Sequence, residues 1–139
     1  AYGVALRLLE TRDRFEAEIA RALAAKGYAD QTPDVLERLR KQGIANDRRV
    51  AEAIIMGREG RRAIGDELLR HRLLEKGAPE ALVDDLLGGR DEAESAYQAL
   101  VGKFGPEAPR AKAGRFLASR GFGEEAIESA LERLASSSE

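Results

Sequence analysis

Three helix-stop signals, each reached after the same apolar stripe, constrain this chain more than any other feature. Lys26-Gly27, Lys76-Gly77 and Arg120-Gly121 lie 50 and 44 residues apart. Four positions before each Gly stands Leu23, Leu73 or Leu117, and eight before it Ile19, Leu69 or Ala113, the i, i+4 spacing of a buried helical face. A cation followed by Gly ends a helix for two reasons. The charge sits at the negative end of the helix dipole, and Gly supplies the left-handed residue that turns the chain away. A second stripe follows each stop: Val35 and Leu39; Val83, Leu86 and Leu87; Ile127, Leu131 and Leu134. Pro33 and Pro79 suit the first turn of these second helices.

Upstream of each pair the pattern gives one more helix, over about Val4–Thr11, Asp47–Gly57 and Asp91–Phe104. The chain is therefore expected to be all-α. Its 139 residues form a single domain made of three tandem three-helix repeats, 1–45, 46–89 and 90–135, stacked into an elongated, curved array. Composition agrees, since Leu and Ala supply 17 and 24 residues while Val, Ile and Thr together supply 13. Gly43, Gly88-Gly89 and the 102–109 stretch punctuate the joins, and Ser136–Ser138 read as a frayed tail. Tyr28, Tyr97, Phe104, Phe116 and Phe122 read as core or inter-helix contacts.

Several chemistries lack their residues. With no Cys and one His, the chain has no thiol nucleophile, disulfide framework or zinc ligand set, so no catalytic group, metal or cofactor is expected. His71 lies between Arg70 and Arg72 and reads as an exposed or half-buried helix residue. Gly57, Gly60 and Gly65 lack the Lys-Ser/Thr and preceding strand of a phosphate loop. No apolar run is long enough for a membrane span and no signal peptide opens the chain, so a cytoplasmic, membrane-free monomer is expected.

The net charge of −2 hides local structure. Residues 46–77 carry a net +2, residues 78–89 a net −3, and residues 103–120 a net +4. The first basic patch contains Arg48, Arg49, Arg58, Arg61, Arg62, Arg70 and Arg72. Arg48, Arg49, Arg58, Arg61 and Arg62 are its candidate binding residues, since arginine forks suit phosphate or carboxylate. Lys103, Arg110, Lys112, Arg115 and Arg120 are the candidates in the second, where Arg120 has the competing role of capping its own helix.

Four stretches carry a family resemblance: Ala5 to Arg14; Leu36-Glu37-Arg38-Leu39 leading to Gly43 through Ala51; Gly60 to Leu68; and the three Lys/Arg-Gly turns. In order and spacing they resemble the RecX family of recombinase regulators over essentially the whole chain. Two departures stand out. Val50-Ala51 replaces an aromatic-Ala pair, and the link from Glu67-Leu68 to Lys76-Gly77 is about one helical turn longer than the family pattern.

The resemblance implies a non-enzymatic modulator that docks in the groove of the RecA filament on single-stranded DNA. There it dampens strand exchange, co-protease activity and ATP turnover in DNA repair. An elongated array with local arginine patches fits such a partner, part protein and part nucleic acid. The seven aromatics leave few stacking platforms, so contact with single-stranded DNA is expected to be weak and indifferent to sequence. The alternatives are a helix-turn-helix-like DNA-binding protein and a helical protein-interaction scaffold.

Overall fold

A computed structural model of the chain describes residues 1–137. Nine α-helices, and no strand, occupy the described residues: α1 Tyr2–Thr11, α2 Glu16–Ala25, α3 Thr32–Lys41, α4 Asp47–Met56, α5 Asp66–Lys76, α6 Glu80–Gly88, α7 Glu92–Val101, α8 Arg110–Ser119 and α9 Glu124–Ser136. Single 3₁₀ turns at Ala29–Gln31 and Gly60–Arg62 precede α3 and α5. The helix ends differ slightly from the sequence reading. Helix α1 starts two residues earlier than Val4, and α7 ends at Val101 because the backbone breaks into turns from Gly102. Of the residues read as a frayed tail, Ser136 closes α9, Ser137 follows as its C-cap, and Ser138 lies outside the described residues. No helix among the described residues is long and apolar enough to cross a membrane.

The expected stops hold. Gly27, Gly77 and Gly121 adopt φ of 88°, 108° and 83°, the left-handed region that an L-residue enters only with strain. At each turn the next residue closes the helix, as Tyr28 N–H donates to Leu23 O, Ala78 to Leu73 and Phe122 to Leu117. All six stripe residues, Ile19, Leu23, Leu69, Leu73, Ala113 and Leu117, are buried.

The apolar side chains divide into three clusters. One joins α1–α3 around Ile19, Leu23 and Leu39; one joins α4–α6 around Leu69, Leu73 and Val83; one joins α7–α9 around Leu100, Leu117 and Leu134. The accessible surface of 8152 Å² exceeds the roughly 7,100 Å² expected for a compact chain of this mass, as separate small cores require.

Neighbouring triplets are tied by residues that cross over. Phe15, fully buried and just ahead of α2, lies in the second cluster, and Ala63, before α5, lies in the third. At the first joint Glu16 N–H donates to Asp47 Oδ1 at 2.9 Å, and the Arg40 guanidinium lies 2.7 Å from Glu16. The second joint repeats this geometry. Asp66 N–H donates to Glu92 Oε2 at 2.7 Å, and Arg90, almost wholly buried, pairs with Asp66 at 2.5 Å and donates to Ile64 O. The second joint also has direct backbone contact, with Gly65 N–H donating to Arg120 O at 2.8 Å. A Cβ on Gly65 would lie 1.9 Å from Gly121 O, and one on Gly121 would lie 2.5 Å from Leu68 Cβ.

Two predictions follow from these joints. Gly65→Ala is expected to destabilise the chain by about 3 kcal/mol or more, because rigid backbone opposes the added methyl. Gly27→Ala, with open space around its Cβ, should lose only the ~1–2 kcal/mol of left-handed strain. Urea unfolding of the two variants gives the comparison. The second concerns Asp47, whose carboxyl is pushed above its ordinary range by burial, against the opposing hydrogen bond from Glu16 N–H. A raised carboxyl contributes stability that is present at acid pH and is lost as the group ionises. Wild type should therefore lose stability relative to Asp47→Asn as pH rises through the carboxylate range, read from urea midpoints at about pH 3 and pH 7.

Candidate functional site

A groove enclosing about 480 Å³ lies where the second triplet meets the third. Its floor is apolar, formed by Ile64, Leu68, Ala99 and Phe116. Its walls carry Arg58, Arg61, Arg62, Arg72, Lys103 and Arg120, and no acidic residue lines it. Four pieces of chain bring these cations together: the segment around the Gly60–Arg62 turn, helix α5, the start of the α7–α8 loop, and the end of α8.

The walls are held by the joint itself. Gly102 allows the turn after α7 to close on Arg61, since a Cβ there would sit 2.3 Å from Arg61 Cβ. Gln98 Oε1 accepts from Gly60 N–H at 3.0 Å and fixes the start of the 3₁₀ turn. Arg120 crosses the joint, its Nη1 donating to Arg61 O at 3.3 Å and to Ala63 O at 3.2 Å. Its role thus extends beyond the end of its own helix. Phe116 carries cations as well, with Arg120 and Lys103 each 4.8 Å from its ring centre, and it meets Phe104 edge-on at 5.5 Å.

None of the six wall cations pairs with a carboxylate among the described residues. Several arginines elsewhere are neutralised. Arg48 meets Asp85 at 2.7 Å, which holds its guanidinium above the ordinary value, and Arg70 meets Glu80 at 3.1 Å and also Asp84. The acidic 78–89 segment therefore quenches part of the first basic patch and leaves the rest. Arg110 pairs with Glu128, and Arg49 donates to Gly43 O and Ile44 O at 3.2 and 3.0 Å. Arg58 shows the opposite situation. Burial, and then the like charges of Arg72, Arg62 and Arg120, hold its guanidinium below the ordinary value. These cations face one another with nothing of opposite sign between them.

Of the ten candidates, Arg58, Arg61, Arg62, Lys103 and Arg120 converge on the groove. Arg48, Arg49 and Arg110 lie outside it, engaged as described. Lys112 and Arg115 are exposed on α8 outside the lining, with Lys112 one turn before Phe116. Arg72 completes the groove although it stood among the patch residues without being singled out. Phe116, expected as a core or inter-helix contact, packs half-buried against the third cluster and Phe104, and it also lines the groove floor. Its position four residues before the Arg-Gly stop was the available signal.

The fold is a helical array, and the groove of unpaired cations at its second joint is the candidate site. The model of the RecX first three-helix domain matches residues 1–39. The chain is 31% identical to the regulatory protein RecX of Chlorobium phaeobacteroides over 96% of this chain and 93% of that protein. It is 35% identical to the RecX of Chromohalobacter salexigens over 91% of this chain and 88% of that one. The crystal structure of RecX from Lactobacillus salivarius shares the fold, with a TM-score of 0.80 at 19% identity over 96% of this chain and 94% of that structure. The chain belongs to the RecX family.

The electrostatics give a prediction for the unliganded protein. Arg58→Gln removes a half-buried charge repelled by its neighbours and should leave the melting temperature unchanged or higher, with the gain shrinking in high salt. Arg120→Ala removes two charge-assisted bonds across the joint and should destabilise by about 1–3 kcal/mol. Thermal unfolding at low and high salt distinguishes these outcomes.

Proposed function

We propose that this chain is a non-enzymatic regulator that binds the RecA filament on single-stranded DNA and lowers its strand exchange, ATP turnover and co-protease activities. The reading rests on membership of the RecX family, and the observation that carries it to particular residues is the convergence of six carboxylate-free cations on one groove. Arg58, Arg61, Arg62, Arg72, Lys103 and Arg120 form the centre of the contact. Lys112 and Arg115 extend it along α8, and Arg48, Arg49 and Arg110 flank it, each giving up an existing intramolecular bond if it engages the filament.

The chain acts as a cytoplasmic monomer whose repeats 1–45, 46–89 and 90–135 present a long surface to a long partner. A filament offers both carboxylates and phosphates, which suits arginine forks that accept either. Contact with the DNA strand is weak, sequence-indifferent and salt-dependent, since phosphate neutralisation releases counterions.

RecA on single-stranded DNA, followed for ATP turnover and strand exchange, tests the proposal. Wild-type chain at near-stoichiometric amounts should depress both. Arg58→Glu with Arg62→Glu and Lys103→Glu should abolish the effect, while Arg133→Gln, which removes a cation paired with Glu94 outside the groove, should retain it. No effect of wild type at these amounts overturns the reading.

A further inference from the structure

The groove has the dimensions and charge of a small-molecule site as well as of a contact surface. Its volume of about 480 Å³ lies within the roughly 300–1,000 Å³ range of ligand pockets. Six cations surround that space from four pieces of chain, a density that a single strand, with one charge per nucleotide, does not match. A chain of three phosphates concentrates about four negative charges over a few ångströms. We propose that the groove binds a compact polyphosphate anion, the triphosphate carried by a nucleoside triphosphate or by inorganic tripolyphosphate.

Three observations carry the assignment. First, the cations are unpartnered and gathered: Arg58, Arg61, Arg62 and Arg72 make no carboxylate pair and share one space that no acidic residue lines, whereas Arg48, Arg70 and Arg110 outside it are paired. Nothing within the lining offsets their mutual repulsion, which an anion from outside relieves. Second, the frame of the site is pre-organised. Arg120 is bonded to two carbonyls, Gly102 lets its turn close on Arg61, and Gly65 lies against Gly121, so the backbone is set and binding orders only the free arginine side chains. Third, the floor is apolar beside the cations, with the half-buried Leu68 and Phe116 able to seat a sugar or base next to the phosphates. The walls come from both the second and third triplets, so a bound anion bridges the joint and stabilises it.

Calorimetric titration and thermal unfolding of the full chain, at matched ionic strength, with tripolyphosphate, ATP, AMP and a short oligothymidylate of equal charge, test the proposal without RecA present. Tripolyphosphate and ATP should each bind at least about tenfold more tightly than AMP and raise the melting temperature. Equal affinities for the two would assign recognition to the phosphates alone, and tighter ATP would add the nucleoside on the apolar floor; both support the site. Arg58→Gln with Arg72→Gln should weaken binding by at least about tenfold, two charge-assisted contacts being lost, while Lys41→Gln, outside the groove, stays within about twofold. Because Arg58→Gln is expected to fold at least as well as wild type and Arg72 has no ion pair among the described residues to lose, loss of binding in the double variant, with its unfolding transition retained, reports the site rather than misfolding. The proposal is overturned if AMP binds as tightly as tripolyphosphate, if the double variant keeps its affinity, or if the oligothymidylate binds more tightly than tripolyphosphate. Failure here leaves the filament reading standing, since neither measurement contains a filament.

Discussion

The array depends on a borrowed helix cap. Helices α2 and α5 begin after Phe15 and Gly65, neither of which has a side-chain acceptor for the free N–H groups of a first turn. In each case the first N–H of the helix finds an acid on the first residue of the next triplet, Asp47 for Glu16 and Glu92 for Asp66. An arginine from the end of the third helix, Arg40 or Arg90, then binds the acid on the capped residue itself. One small motif thus joins three helices from two triplets and recurs at both joints. Stacking order and helix termination are thereby the same interaction, and a triplet separated from its neighbour would leave these donors to water.

Much of this was legible in the chain because it is local. A Lys/Arg-Gly stop and an i, i+4 stripe each span a few residues, and all three stops appear with positive φ and their stripes buried. Where the reading fell short, the controlling contact lies far away in sequence. Gly65 looks like part of a failed phosphate loop, yet its lack of a side chain is required by Gly121, more than fifty residues on. Phe15 carries no repeat signature of its own, and its place in the second cluster follows only from the angle at which the triplets meet.

Charge is the clearest case. Arg48, Arg58, Arg70 and Arg72 are indistinguishable as letters in one basic stretch. Arg48 and Arg70 face Asp85, Asp84 and Glu80 of α6, whereas Arg58 and Arg72 face only other cations and the groove. The −3 segment is therefore the counter-charge for Arg48 and Arg70, two of the eight basic residues in the +2 segment beside it. A helix amphipathic in charge divides its arginines by direction, and direction is fixed only when a neighbouring helix packs against one side. Arg61, Arg62, Lys103 and Arg120 likewise needed the second joint to meet.

Coupling between fold and site follows from this. Arg120 and Gly65 hold the second and third triplets together, and the same contacts shape the groove wall, so the cationic surface exists only while the joint is closed. The repulsion among Arg58, Arg62, Arg72 and Arg120 opposes that closure, whereas the Gly65–Gly121 approach, the Arg90–Asp66 pair and the burial of Ala63 favour it. An anion in the groove changes this balance in one direction, converting the one repulsive term at the joint into an attractive one. The depressions at the first joint are rimmed by both signs: Arg12 and Lys76 face Asp13 and Glu18 in one, and Arg12, Arg14, Arg21 and Lys76 face Glu18 and Glu75 in the other. A groove of one sign is therefore a feature of the second joint, and the repeat supplies the frame that keeps its cations facing each other.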